Sequence, residues 1–297
     1  FAAEHGIPVV HASYQDLLAD PDIDAVYNPL PNSLHAHWTL QAISAGKHVL
    51  CEKPFSSNAG EAGRVAAAAR DSGLVVMEAM HYRYHPLARY LEDLVWGASG
   101  IAAAPGTVQH IQCTVSFPLD GPQDIRYSYA LGGGATMDAG CYAIDCIRLL
   151  ARATPTVTAA QATARDDAVD RAMSASFRLP GGGTAGFDVA FADAGEMVAD
   201  ARVLAGGVEL LAGNFIQPPL GLRLVKRSPA GEQAIPAAAL AGAGMTFPYQ
   251  LRAFAAAVLS GRPFPSTPEH AAVTMRLIDD VYRAAGLPAR GADAGTR

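Results

Sequence analysis

Short apolar runs alternate with longer stretches of helical periodicity through the first quarter of the chain. A helical YQDLLADP precedes the run DAVYNPL. Then come a helical SLHAHWTLQAISAG, the run HVLCE, an Ala-rich helix from Ala59 to Ser72 and the run LVVMEAM. Brief apolar strands separated by helices require crossover connections, which predicts a parallel sheet with helices on its faces. The opening FAAEHGIPVV reads as the tail of a helix, closed by Gly6 with Pro8 just beyond.

The rhythm then changes. After a helical PLARYLEDLVW, the segment TVQHIQCTVSF alternates, with Ile111, Cys113, Val115 and Phe117 on one side and Gln112, Thr114 and Ser116 on the other. Period two marks a half-exposed antiparallel strand. AMSASFRLPGGGTAGFDVAF repeats that period on both sides of a glycine-rich turn and reads as a hairpin, and further strands are expected at ARVLAG, GVELLAG and LRLVKR. The helical GGGATMDAGCYAIDCIRLLA precedes this sheet, and FPYQLRAFAAAVLSG and PEHAAVTMRLIDDVYRAAG close the chain. The fold class is therefore α/β, with an α/β domain over residues 1–83 and an α+β domain over residues 84–297. The second sheet is expected to set one apolar face on helices and to carry Phe, Val and Ala on the other, which predicts a homo-oligomer.

With half of its 297 residues apolar, the chain can bury a substantial core. A net charge of -6 without a block of Lys or Arg argues against a nucleic acid partner and favours a small molecule. Cys51, Cys113, Cys141 and Cys146 lack CxxC spacing and read as reduced, buried thiols, which implies a cytoplasmic setting. No apolar run approaches the roughly 20 residues that span a bilayer, and the N-terminus lacks a signal-peptide pattern, so no membrane partner is expected.

Candidate chemistry concentrates in two places. In GKHVLCEKPFSSNAGEA an acid, a base and a proline, Glu52, Lys53 and Pro54, follow an apolar strand, and open α/β sheets bind ligands at that rim. AGKH is not a phosphate loop, because no glycine stands at its first position and no Ser or Thr follows Lys47. LGGGATMDAG lacks the spacing and preceding strand of a dinucleotide fingerprint, so its glycines are assigned to helix entry and close packing. The pairs His81/His85 and His35/His37 lack an HExxH pattern or a carboxylate at ligand spacing, and no metal site is assigned. Asp138, Tyr142 and Asp145, at i, i+4 and i+7, share one face of an otherwise apolar helix. On the helix alone, buried structural polarity and catalysis both fit that face.

Together, AGKHVLCEKPFSSNAGEA, MEAMHYRYHP and GGGATMDAGCYAID resemble the glucose-fructose oxidoreductase / inositol dehydrogenase family (Gfo/Idh/MocA), in particular its dihydrodiol and xylose dehydrogenase branch. The resemblance implies a Rossmann domain followed by an α+β domain with a large open, mostly antiparallel sheet that pairs with another subunit. It also implies a cofactor, NAD or NADP, and hydride transfer to or from a sugar, inositol or cyclic diol. Carried over by position, it places Lys53, Tyr142 and Asp138 in the catalytic site. Pro31, Asn32, His35, Glu52, Lys53, Pro54, Tyr82 and Arg83 then fall along the cofactor.

Two departures from the family pattern stand out. The usual opening strand, glycine turn and helix are missing, so the Rossmann domain reads as N-terminally incomplete. DIRYSYALGGG carries Ser128 and Tyr129 where relatives commonly have Asp-Pro. Oxidation of a carbinol needs a base, and a tyrosine serves if its pKa, ordinarily about 10, is pulled down. The expectation is that Lys53 does this to Tyr142 while Asp138 orients one or both. The rival reading is a non-catalytic sugar- or dinucleotide-sensing protein, or an inactive truncated product.

Overall fold

The computed structural model describes residues 1–291 apart from 105, 120, 122, 166 and 167. The first residues make one turn that Gly6 closes in the left-handed region (φ 63°), with Ile7 N–H donating to the Ala2 carbonyl. That is the bonding of a helix-end cap. Helix α1 (Tyr14–Ala19) follows, capped by the Ser13 side chain, which accepts from Asp16 N–H.

Strand β1 (Ala25–Asn28), helix α2 (Asn32–Ser44), strand β2 (His48–Cys51), helix α3 (Ala59–Ser72) and strand β3 (Val76–Glu78) form the predicted alternation, with a parallel sheet in the order β1-β2-β3. Val49, Leu50 and Cys51 of β2 are all buried, because helices cover the central strand on both faces. Asn58 caps α3 by accepting from Glu61 N–H, and Gly73 ends it at φ 69°.

After a short 3-10 turn (His81–Tyr84) and helix α4 (Pro86–Trp96), strand β4 (Val108–Pro118) begins the second sheet. A five-residue π turn (Thr136–Gly140) leads into helix α5 (Cys141–Ala151). There follow β5 (Thr156–Ala164), β6 (Asp170–Arg178), β7 (Thr184–Ala192), β8 (Val198–Ala205), β9 (Val208–Gly213), β10 (Arg223–Ser228) and β11 (Gly231–Ala234). Helices α6 (Ala238–Ala241), α7 (Phe247–Ser260) and α8 (Pro268–Ala284) complete the order.

The eight strands run β11-β10-β9-β8-β4-β7-β6-β5. Each neighbouring pair is antiparallel except β4 with β7, which is parallel. Ile111, Cys113 and Val115 of β4 and Phe187, Val189 and Phe191 of β7 are buried on the face that α5 covers.

The opposite face differs from expectation. It carries His110, Gln112, Ser174, Ser176, Thr184 and Asp188 around a shallow depression of about 770 Å³. Gln112 Nε2 and Ser174 Oγ both donate to Asp188, at 2.8 and 2.5 Å. The period-two pattern places the large apolar residues of β4, β6 and β7 on the α5 side, so the open face of these strands is mainly polar, with Val198 and Leu204 of β8 exposed beside it.

The last helices return to the first sheet. α8 packs on α3 as well as on α5 and β5. Ala257 and Phe254 of α7 meet Leu50, Met77 and Ala79 in a separate apolar cluster. All four cysteines are free and buried. Among the described residues no helix is long and apolar enough to cross a membrane.

Candidate active site

The carboxyl ends of β1 and β2 open into a cleft closed on its far side by the loop 125–131 and the π turn before α5. A cavity of about 170 Å³ lies there, lined by Pro29, Pro31, Asn32, His35, Glu52, Lys53, Arg126 and Asp138 among others. It occupies the rim where parallel sheets bind ligands. Among the described residues, no three of His, Cys, Asp or Glu converge as a metal ion would need.

Lys53 stands two residues past the end of β2, and its Nζ donates to Asp138 Oδ1 at 2.5 Å and to the Asp138 carbonyl at 3.1 Å. The ammonium also lies 5.0 Å from the centre of the Tyr142 ring. Arg126 Nε donates to the other oxygen of Asp138 at 2.8 Å. Burial works against the charge of each partner, but the contacts outweigh it: Lys53 is held above the usual lysine range, and Lys53 and Arg126 hold the Asp138 carboxyl below its own. Asp138 therefore stays a carboxylate that fixes Lys53 in place.

Tyr142 corrects the sequence expectation. Burial pushes its phenol above 10, and the nearby Lys53 ammonium offsets that only in part. Its hydroxyl bonds neither Lys53 nor Asp138. It lies 2.8 Å from His81 Nε2, and His81 Nδ1 lies 2.7 Å from Thr246 Oγ1.

Other predicted residues take distinct places. His35 is buried between two carbonyls, Leu30 O at 2.6 Å and Pro54 O at 2.8 Å, and so ties the loop after β1 to the segment after β2. Glu52 accepts from Tyr27 Oη at 2.7 Å and from Lys53 N–H at 3.1 Å. Asn32 Nδ2 donates across the cleft to the Gly132 carbonyl at 2.9 Å. A Cβ on Gly132 would come within 2.9 Å of the Asn32 Cβ, so only glycine permits this approach.

Tyr82, Arg83 and Asp145 sit apart from the cavity. The Tyr82 hydroxyl and Arg83 Nη1 both donate to the fully buried Asp145, and His270 Nε2 lies 2.6 Å from it. Burial alone would raise the Asp145 pKa, yet Arg83 and His270 hold it well below the ordinary range.

The glycine loop is pinned from behind. Arg290, fully buried, donates from Nε to the Gly133 carbonyl at 2.6 Å and from Nη2 to Asp170 Oδ1 at 2.9 Å. Asp170 in turn accepts from Thr136 N–H and Oγ1, and Asn58 Nδ2 donates to the Arg290 carbonyl. A Cβ on Gly134 would come within 2.2 Å of Asp170 Oδ1.

Sequence reasoning missed Arg126, His81 and Thr246. Arg126 was findable as the one cation in DIRYSYALGGG. The sequence offers His81 only as half of a His81/His85 pair, and nothing in it ties Thr246 to either residue.

Two family profiles match the chain: an oxidoreductase family with an NAD-binding Rossmann fold over residues 1–80, and the GFO/IDH/MocA C-terminal domain over residues 102–207. An uncharacterized oxidoreductase of Rhizobium meliloti is 33% identical over 295 residues, covering 96% of this chain and 84% of that protein. D-xylose 1-dehydrogenase (NADP(+)) 2 of Haloferax volcanii is 42% identical over 191 residues, which span 64% of this chain and 57% of that enzyme. Among solved structures, a 3-ketoreductase from Actinomadura kijaniata in complex with NADP and TDP-benzene superposes with a TM-score of 0.83. It shares 30% identity, with 96% of this chain and 85% of that one covered.

Proposed function

The chain belongs to the GFO/IDH/MocA oxidoreductase family, and from that premise we propose that it is an NAD(P)-dependent dehydrogenase or reductase acting on a CH–OH or C=O group of a sugar, inositol or cyclic diol. The observation that carries the reading is Lys53, an ammonium clamped by Asp138 and set against the Tyr142 ring at the mouth of a cleft on a parallel sheet.

The residues present suit the nicotinamide end of a dinucleotide: a mixed apolar and polar cleft of Pro29, Pro31, Asn32, His35 and Glu52 at the strand ends. A bound dinucleotide supplies the hydride acceptor or donor. Pro54 is held by its carbonyl against His35, and the Tyr82 ring stands 6.1 Å from that of Tyr142. The names of the relatives make NADP the form to test first.

Lys53 spends two of its three N–H bonds on Asp138 and has a third for the reacting oxygen. Tyr142 exchanges the proton. Asp138 fixes the lysine, and Arg126 fixes Asp138. The same reading includes a cytoplasmic setting, in keeping with four unpaired buried thiols, and self-association through the open face of the eight-stranded sheet.

Steady-state kinetics with both dinucleotides against aldoses, inositols and cyclic diols tests the assignment. Lys53→Met and Tyr142→Phe are each expected to lower turnover by about 10²- to 10⁴-fold. The double variant should fall far less than the product, because the two act as one unit. Unchanged turnover in Lys53→Met would sink the catalytic assignment of that lysine, and absence of turnover by the unaltered protein with every one of these substrates would return the molecule to the sensing class.

A further inference from the structure

Resting on the hydride-transfer reading above, we propose that His81 is the proton-relay partner of Tyr142: a positioning residue that acts through the phenol and hands its proton on to Thr246. Three separate elements meet here, the turn after β3, helix α5 and the start of α7. Tyr142, His81 and Thr246 are 8, 3 and 0% exposed. Their polar atoms stand in line, Tyr142 Oη to His81 Nε2 at 2.8 Å and His81 Nδ1 to Thr246 Oγ1 at 2.7 Å. The Phe247 ring, 4.3 Å from the imidazole, closes one side of it.

His35 supplies an internal contrast. Its two nitrogens face two carbonyl oxygens, which accept and have no proton to pass on. That histidine can only brace. His81 faces two hydroxyls, each able to donate and to accept. An imidazole so placed can take a proton at one nitrogen while releasing one from the other, and it stays neutral throughout. The groups facing it are Lys53 beyond β2, Tyr142 on α5, and the uncharged Thr246 and Phe247. Burial first, and the Lys53 charge second, push its pKa down to about 3, so neutral imidazole is the resting form.

In the oxidation direction the substrate O–H bond breaks and its proton joins Tyr142 Oη, while the phenol's own proton moves to His81 Nε2. The Nδ1 proton passes to Thr246 Oγ1, and the threonine's original proton reaches solvent as the start of α7 opens locally, where the flanking Met245 and Phe247 are already exposed while Thr246 itself is not. The C–H electron pair leaves as hydride to the dinucleotide. One proton reaches water, and Tyr142, His81 and Thr246 all end uncharged; reduction runs the same path backwards. The relay accounts for a base whose pKa is raised: Tyr142 need not ionise at any point.

Two measurements on the full chain test this. In the first, ¹⁵N-histidine NMR without cofactor should show the His81 ring neutral from about pH 5 to 8, with its nitrogen resonances displaced in Tyr142→Phe and in Thr246→Val. A ring titrating near the ordinary value of about 6.5, and indifferent to both substitutions, would overturn the relay.

In the second, His81→Gln, which can bond the phenol but cannot pass a proton, should lose about 10²-fold in kcat with little change in KM. Thr246→Val should lose in the same sense, and Thr246→Ser should restore the loss. Full kcat in His81→Gln beside an impaired Tyr142→Phe would sink the relay and leave the hydride-transfer reading standing. A fully active Tyr142→Phe would overturn the relay together with the proton-exchanging role of Tyr142, whereas the hydride-transfer reading itself falls only if the unaltered protein turns over none of the substrates.

Discussion

Asp138 and Asp145 stand seven residues apart on one side of the same helical stretch, and the molecule uses them in opposite ways. Asp138, 14% exposed in its side chain, faces the cleft and holds two cations that also line it. Asp145, with no exposed surface, receives Tyr82 and Arg83 and lies against His270 in a closed knot. Both carboxyls are held below their ordinary pKa. A depressed pKa therefore does not by itself mark a site here; what separates the two is place, since Lys53 and Arg126 line the cleft with Asp138 and the partners of Asp145 do not.

Neutralising each acid in turn should split the pair. Asp138→Asn is expected to cut turnover by about 10²- to 10⁴-fold, because Lys53 loses its anchor, while Tm moves far less than in the partner variant. Asp145→Asn should instead destabilise the fold by about 3–5 kcal/mol by leaving Arg83 buried without a counter-charge. The folded pKa of Asp145 is depressed, so its contribution is present above the unfolded value near 4 and is lost as pH falls. The Tm gap between wild type and Asp145→Asn should thus close below about pH 4, as thermal melts across pH would show. Equal loss of turnover and equal loss of Tm in both variants would erase the distinction.

A smaller effect sharpens the comparison. Glu78 is buried, its Oε1 accepts from Phe55 N–H, and its Oε2 has no partner among the described residues. Burial first, and the Asp145 charge second, push its pKa up to about 8. A raised carboxyl contributes stability that is whole below its unfolded pKa and drains away as pH rises through the folded value. Glu78→Gln keeps the Phe55 bond and removes the titration. It should raise Tm by about 2–6 °C at pH 8, with the gain gone near pH 4.5, the unshifted value. A variant no more stable than wild type at pH 8 would contradict this.

The elements that sequence made legible are those whose burial follows a simple period. β2 and β3 read as unbroken apolar runs because both faces are covered, and β4, β6 and β7 read as alternations because one face is. β5 went unseen because TVTAAQATA is exposed along most of its length at the sheet edge and offers no alternation. β11, GEQA, is exposed throughout.

At the site, Lys53 and Asp138 were visible as residues, but their pairing spans 85 positions. The direction of the Tyr142 shift was misjudged for a related reason. Sequence shows that a cation is near, whereas the depth of burial that outweighs it exists only once α7 has folded over the phenol's partner.

The pinning of the glycine loop by Arg290 has a consequence in time. The Gly133 carbonyl waits for a donor 157 residues further along the chain, and Asn58 at the head of α3 waits for the same residue. During synthesis at roughly 5–20 residues per second, the loop beside Asp138 would stay unanchored for about 8–30 seconds after it leaves the ribosome, while the parallel sheet can already have formed. The cleft is thus completed late, and a nascent chain halted anywhere short of that arginine would carry Lys53, Asp138 and Tyr142 in an unfinished socket.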